Sequence, residues 1–185
     1  MECGSDRLPS LAEPVDVALQ DLLRRLPQGA DGPINLMAAL AHHPAMLRAW
    51  GRFTKALADG VLSPRDRELL ILRTAWTTGS AYEWGHHVAA GAAAGLDERE
   101  VTRCAAPGSE GWSDQDRLLV KAVDEMALTG EVSARTLTSI VEERSAAAAV
   151  EVVWVIGAYH LVASMVRSLG VVQDPGLPAL GTVNR

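Results

Sequence analysis

The sequence predicts an all-α fold in a single domain, because both its composition and its capping residues favour helices. Of the 185 residues, 48% are hydrophobic but only 4% are aromatic. Alanine, the best helix former, dominates the apolar residues. Valines rarely alternate with polar residues, so strands are not expected. A chain of this length buries a sufficient core without disulfides or a structural metal.

Charge and cysteine content narrow the classes of function. The 17 basic and 23 acidic residues give a net charge of −6. There is no basic cluster, so neither nucleic acid nor a membrane surface is expected as a partner. The two cysteines, Cys3 and Cys104, form neither a disulfide framework nor a C-x-x-C motif. Residues 1–14 lack the apolar run of a signal peptide, which predicts a cytoplasmic protein.

Three segments are predicted: a flexible arm (1–13), a helical domain (14–172) and a loose tail (173–185) that contains prolines and glycines. The first helices are expected at Pro14–Leu26, from a cap at Asn35 to His42, and from Pro44 to about Gly60. In the third of these helices, four side chains at helical spacing are expected to face the core: Met46, Trp50, Phe53 and Leu57.

Helix boundaries after residue 60 are marked by capping residues. Six side chains are predicted N-caps: Ser63, Ser80, Asp97, Ser113, Ser133 and Ser145. Four glycines are predicted to end helices: Gly79, Gly95, Gly130 and Gly170. These signals predict six helices, of which the last runs to about Leu169.

The stretch Ala146–Val166 in that last helix is apolar enough to raise the question of a membrane span. It contains Glu151 and His160, so we expect a buried central helix or one covered by a second subunit. Because the helix is apolar on more faces than one subunit can cover, a homo-oligomer is predicted.

Glu68 is the first candidate for chemistry. It lies on a predicted helix beside Ile71 and Leu72, and a carboxyl held against such an apolar face loses hydration. Poor hydration suits a general acid or base. The alternative is a residue at the helix edge, paired with Arg65 or Arg67.

The second candidate cluster spans residues 80–87. Glu83 and His87 are four residues apart, so they share a helix face, and the carboxylate can orient the imidazole. Glu83 could instead complete a capping box with Ser80, and His86 is a competing partner. Ser80, Tyr82 and His86 are candidate binding residues. Because adjacent histidines cannot easily share one ion, neither a metal nor another cofactor is expected.

The remaining polar residues in apolar surroundings have less specific interpretations. Arg73 either binds a substrate carboxylate or, the favoured interpretation, pairs internally with Glu68 or Glu83. Five others are interpreted as turn residues, cavity wall or satisfied core groups: His42, His43, Cys104, Tyr159 and His160.

Residues 35–172 resemble the carboxymuconolactone decarboxylase family, which includes the alkylhydroperoxidase D (AhpD)-like proteins. The family signature is a Glu, a Cys twelve residues later, a second Cys three further on, and a His four beyond that. Glu68 and His87 occupy the Glu and His positions. The flanking L-S-P-R-D-R-E-L-L-I-L-R, the Y-E-W-G-H-H core and the following A-G-L also fit.

This sequence departs from the signature at both cysteine positions, which hold Ser80 and Glu83. A hydroxyl and a carboxylate cannot perform thiol chemistry on a peroxide, so peroxidase activity is not expected. The resemblance implies an all-helical subunit in a trimer or hexamer, with a site between helices near a subunit boundary. It also implies that the decarboxylase branch uses acid–base chemistry on a small, carboxylated, enolisable ring.

Three hypotheses follow from the sequence. The favoured one is a cofactor-free lyase or isomerase in which Glu68, Glu83 and His87 surround a pocket and act on a small-molecule substrate. In it, Glu68 is acid or base, His87 moves a proton, and Glu83 orients His87. The second hypothesis is a hydrolase or cyclase that uses the same residues on a lactone- or polyketide-like substrate. The third is a non-catalytic binding protein that kept the oligomeric fold.

Overall fold

The computed structural model describes residues 5–11, 16–29, 32–108 and 110–183. Its helices are α1 (Val17–Leu23), α2 (Asn35–Leu40), α3 (Pro44–Ala58), α4 (Pro64–Thr78), α5 (Ala81–Ala93), α6 (Glu98–Cys104), α7 (Asp114–Thr129), α8 (Ala134–Glu143) and α9 (Ala146–Leu169). A two-residue antiparallel pair, β1 (Gln28–Gly29) and β2 (Gly32–Pro33), separates α1 from α2. The predicted all-α fold class is therefore confirmed.

The chain forms two compact units. The first unit comprises Met1–Asp59 and Ser164–Gly176, and the second comprises Gly60–Ala163 and Leu177–Arg185. The division of the sequence into arm, domain and tail remains a prediction.

In the first unit, the described part of the predicted arm is held by the end of α9. The Asp6 amide donates to the Gly170 carbonyl at 2.9 Å, and Ser5 forms a β-bridge with Val171. Leu11 is buried. These contacts differ from the flexible segment that composition predicted. Cys3 and Pro14 lie outside the described residues.

The prediction that Asn35 caps α2 is wrong. Ile34 occupies the N-cap position and makes no side-chain cap bond. The carboxylate of Asp174 instead accepts from the Asn35 amide at 3.1 Å, while the Asn35 side chain donates to the Val172 carbonyl. A carboxylate from a distant part of the chain thus satisfies a donor at the helix start.

The core-facing positions of α3 are only partly those predicted. Leu57 is buried, but Met46 is 54% exposed and its neighbour Leu47 is fully buried instead. His43 is the N-cap of this helix, and its Nδ1 accepts from the Met46 amide. Trp50 and Phe53 are partly buried, so the difference from the predicted face is confined to Met46 and Leu47.

In the second unit, the predicted caps place α4 and α5 side by side. Ser63 caps α4 through the Asp66 amide, and Ser80 caps α5 through the Glu83 amide. Gly79 ends α4 with φ of 69°, a left-handed conformation that glycine adopts without strain. Because Gly79 and the cap Ser80 alone connect the two helices, they form a tight antiparallel hairpin.

Helix α4 is the centre of the second unit. Seven consecutive residues, Leu69–Ala75, are buried, so this helix is covered on every face. It packs against α5, α6 and α7, and α7 adds the buried side chains of Leu119, Val120 and Val123.

The predicted N-caps of α5 to α9 are also confirmed, and on α6 Asp97 and Glu100 form a capping box. Helix α9 is long and apolar enough to cross a membrane by those two criteria alone, and 44% of its most apolar window is buried. In the predicted loose tail, the Thr182 carbonyl accepts from the Trp84 indole at 2.8 Å, which ties this part of the tail to α5.

Candidate active site

Glu68 of α4 and His87 of α5 meet across the helical hairpin. Glu68 Oε2 lies 2.7 Å from His87 Nδ1, and their side chains are 13% and 20% exposed, respectively. A carboxylate oxygen accepts hydrogen bonds, so the Nδ1 that faces Glu68 is assigned as the donor of this contact. Nε2 makes no hydrogen bond to any residue in the described ranges. The arrangement leaves one oriented, basic nitrogen open.

Gly91 sets how closely the two helices approach beside this pair. It lies one turn after His87 on α5. A Cβ added at Gly91 would be 3.1 Å from Leu72 Cδ1, 3.2 Å from Leu96 Cδ1 and 3.9 Å from Glu68 Cβ. A hydrogen in place of a side chain therefore lets α4 pack tightly against α5 at the level of Glu68.

Tyr159 of α9 completes the group. Its ring meets the His87 ring edge to face, with centroids 5.0 Å apart and an interplanar angle of 85°, which is a favourable geometry for an aromatic pair. Burial raises the pKa of Tyr159, and the negative charges of Glu68 and Glu83 raise it further, although Arg67 opposes them. The phenol is therefore neutral at physiological pH.

Glu83 is buried, 2% exposed, one turn before His87. Its negative charge and that of Glu68 both act to raise the pKa of Tyr159. The sequence predicted that Glu83 orients His87, but the carboxylate that engages His87 Nδ1 is Glu68. Ser80, a candidate binding residue, is buried as the cap of α5.

The expected internal partner of Arg73 is a different acid. Arg73 is 4% exposed and forms a two-point ion pair with Asp124 of α7, at 2.7 and 2.9 Å. Its remaining bonds go to the carbonyls of Cys104 and Ala106. The predicted pairing with Glu68 or Glu83 is therefore corrected, and the buried guanidinium is engaged by the fold.

The other candidate residues fall outside the Glu68–His87 contact. Tyr82 and His86 form their own aromatic pair on α5, with centroids 4.7 Å apart. Cys104 is a free, buried thiol, and burial raises its pKa to about 12. Within the part of the chain that the structure describes, no three His, Cys, Asp or Glu side chains are grouped to hold a metal ion.

A separate apolar cleft of about 300 Å³ borders another face of α5. Its lining includes Gly85, Val88 and Leu96, together with Leu177 and Pro178 from the tail. Neither Glu68 nor His87 lines this cleft, so the polar group and the cleft are distinct features of the second unit.

Two features of the site are not predictable from the sequence pattern. From the sequence, Tyr159 is interpreted as a core residue, because a polar side chain in an apolar helix does not show which distant residues it contacts. Gly91 lies in an alanine-rich run where one more small residue attracts no attention. A glycine one turn after a candidate histidine is the local signal that could have identified it.

The architecture of the chain is an AhpD-like all-α fold. The structure superposes with a TM-score of 0.80 on the alkylhydroperoxidase AhpD core of a peroxidase-related protein from Ralstonia eutropha, at 17% identity and 97% coverage of both chains. A protein of unknown function from Agrobacterium tumefaciens, named for a proposed antioxidant-defence role as AhpD, gives a TM-score of 0.67 at 19% identity. That match covers 73% of this chain and 94% of the other. At these identities the likeness shows the fold.

The sequence itself matches the carboxymuconolactone decarboxylase family over residues 44–109, which confirms the predicted resemblance over this part of residues 35–172. No curated protein matches the chain. The matched segment contains α4 and α5, and with them both Glu68 and His87.

Proposed function

We propose that this protein is a cofactor-free acid–base enzyme that acts on a small, enolisable substrate, with decarboxylation as the favoured reaction. The observation that carries the proposal is the Glu68–His87 pair, which orients an imidazole and leaves its Nε2 open. A histidine held by a carboxylate through one nitrogen is prepared to move a proton through the other.

The chemistry can be written for decarboxylation of a 3-keto acid or a related lactone. The bond between the α-carbon and the carboxylate breaks, its electron pair forms the enolate, and carbon dioxide leaves. A protonated His87 then delivers its Nε2 proton to the α-carbon and becomes neutral. Glu68 stabilises the imidazolium before the transfer and keeps the ring in position afterwards. Isomerisation uses the same step in reverse, with Nε2 first taking a proton from carbon.

Thiol peroxidase chemistry has less support in this chain. The two signature cysteine positions hold Ser80 and Glu83. Cys104 is buried, and with a pKa raised to about 12 it carries little thiolate at neutral pH. We therefore expect no thiol-dependent turnover of a peroxide. Peroxide turnover that disappears in Cys104→Ser would contradict this expectation.

Solvent deuterium exchange tests the proposal on a panel of chemically related compounds. The purified protein is incubated in D₂O with 3-keto acids, γ-lactones and carboxymuconolactone. Proton NMR then reports exchange at the carbon next to the carbonyl, and carbon dioxide release is measured in parallel. We expect exchange or decarboxylation with at least one member, reduced roughly 10²–10⁴-fold in His87→Ala.

The matched control for this assay is His42→Ala, which removes an exposed histidine outside the site. Circular dichroism should show the same helix content in both variants. If no compound exchanges, or if His87→Ala retains the wild-type rate, the acid–base proposal is refuted. In that case a non-catalytic binding role becomes the better interpretation.

We also propose that α9 is covered by a second copy of the chain. Val150, Trp154 and Leu161 are more than half exposed, and their spacing places them on one side of the helix. Large exposed apolar side chains in one stripe are typical of an interface. Light scattering should give a homo-oligomer that Trp154→Lys weakens, whereas a monodisperse wild-type monomer would contradict the proposal.

A further inference from the structure

Tyr159 is a polar residue of the site to which the proposed proton transfer assigns no task. It comes from α9, whereas Glu68 and His87 come from α4 and α5, so three helices converge at this point. The Tyr159 hydroxyl makes no hydrogen bond to the residues that the structure describes. The Tyr159 side chain is only partly buried, so its hydroxyl, which lies beside an oriented histidine and has no partner among the described residues, is available to a bound molecule.

The surroundings of Tyr159 determine what its hydroxyl can do. Burial and the charges of Glu68 and Glu83 both disfavour the phenolate, and Arg67 opposes them only in part. Such a phenol is a poor proton donor, because losing its proton would place another negative charge beside two carboxylates. It remains a hydrogen-bond donor over the whole physiological range of pH.

An enolate needs a donor of this kind. When the α-carbon loses carbon dioxide or a proton, negative charge develops on the carbonyl oxygen two bonds away. A fixed hydrogen-bond donor at that oxygen lowers the barrier because it is already oriented before the charge appears. His87 cannot serve both atoms, since its Nε2 proton is used at carbon and its Nδ1 proton is bound to Glu68.

We propose that Tyr159 is a catalytic residue whose hydroxyl donates a hydrogen bond to the enolate oxygen of the substrate while His87 works at the adjacent carbon. This inference rests on the proposed acid–base function and narrows it. The substrate carries a carbonyl next to the reacting carbon, and its oxygen reaches the α9 side of the site. No proton leaves Tyr159 during the reaction.

The edge-to-face contact between Tyr159 and His87 offers a competing explanation, in which the ring only positions the imidazole. Tyr159→Phe separates the two roles, because it keeps the ring and removes the hydroxyl. Tyr159→Leu removes both. A donor role predicts that Phe and Leu are almost equally damaging, whereas a packing role predicts that Phe is close to wild type.

The experiment has two arms. In the first, the deuterium-exchange assay compares the wild type with Tyr159→Phe on the best compound of the panel. We expect kcat to fall roughly 10²–10³-fold, the usual cost of removing one donor to an oxyanion, with a smaller change in KM. In the second arm, 4-nitrophenolate serves as a stable mimic of the enolate oxygen, and its absorbance reports binding. We expect binding at least tenfold weaker in Tyr159→Phe than in the wild type.

The two arms distinguish failure of this inference from failure of the proposed function. Exchange that depends on His87 but is unchanged in Tyr159→Phe leaves the acid–base function standing and overturns the role of Tyr159. A lack of exchange together with Tyr159-dependent nitrophenolate binding refutes the enzyme and retains an oxyanion site. Equal nitrophenolate binding by the two proteins, or none by the wild type, overturns the inference directly.

Discussion

Helix α4 carries two charged contacts, and they differ in whether they leave a polar group open to a ligand. Near its C-terminal end, the Arg73 guanidinium is engaged by both oxygens of Asp124 and by two backbone carbonyls. Near its start, Glu68 makes one short contact with His87, and the second nitrogen of that ring stays open. A buried charge whose donors are used within the protein stabilises the fold, whereas one that leaves an oriented group open can act on a ligand.

The largest expected effect of a substitution is a loss of turnover, at the contact between Glu68 and His87. Glu68→Gln keeps the shape of the side chain but removes the charge that stabilises the protonated imidazole. We expect turnover to fall roughly 10²–10⁴-fold, about 3–5 kcal/mol of barrier, with little change in the midpoint of thermal unfolding. A variant with wild-type turnover would show that the contact with His87 has no catalytic role.

At the contact between Arg73 and Asp124, the expected effect of a substitution is on stability instead. Arg73→Met should lower the free energy of unfolding by about 3 kcal/mol, because Asp124 loses its partner and two carbonyls lose their donors. Urea denaturation measures the loss, and activity per folded molecule should be unchanged. If the variant is as stable as the wild type but has a raised KM, the guanidinium serves the substrate and the comparison fails.

The ion pair between Arg65, near the start of α4, and Asp116 sharpens the comparison, because its contribution to stability depends on pH. Burial acts to raise the pKa of Asp116, but hydrogen bonds from Arg65 and Ser113 outweigh it, so the pKa is lower than usual. Arg65 donates to both Asp116 oxygens, at 2.7 and 3.1 Å. A carboxyl with a lowered pKa contributes stability above its unfolded pKa and loses that contribution as the pH falls through its folded pKa.

Asp116→Asn should therefore reduce the free energy of unfolding by about 1–3 kcal/mol at pH 7. The difference from the wild type should stay constant down to about pH 5 and shrink below about pH 4. Urea denaturation across this range measures it. A difference that grows on acidification would contradict the assigned charge state of Asp116.

The parts of the molecule also differ in how well the sequence predicts them. The helices α4 to α9 are predicted almost to the residue, because a cap is a local interaction within four positions of the chain. The start of α2 is not, because its donor is satisfied by Asp174, far along the chain. The buried face of α3 depends on what packs against it, and an apolar pattern alone does not distinguish Met46 from Leu47.

The same distinction between local and distant contacts applies to the site. The short connection at Gly79 allows Glu68 and His87 to be placed together from the sequence. The helical spacing of Glu83 and His87 shows only that they can touch, and the distance to Glu68 decides which carboxylate engages the imidazole. Asp124 and Tyr159 lie 51 and 72 residues from their partners, Arg73 and His87. No local pattern predicts such pairs.

Gly91→Ala offers the test with the smallest expected effect, because it changes the Glu68–His87 contact only through the spacing of the two helices. Gly91→Ala gains up to about 1 kcal/mol of helix propensity, but its methyl group would crowd Leu72 and Leu96 at 3.1 and 3.2 Å. Both neighbours are flexible side-chain ends, so the fold should tolerate the change.

The stability change in Gly91→Ala should stay within about 1 kcal/mol, while a shift of a few tenths of an ångström between α4 and α5 lowers turnover up to about tenfold. Gly51→Ala on α3 is the matched control, since a Cβ there meets only Leu26 Cδ2, at 3.4 Å; it should gain helix propensity and leave turnover unchanged. Equal turnover in the two variants would show that the spacing of the hairpin does not limit the Glu68–His87 pair.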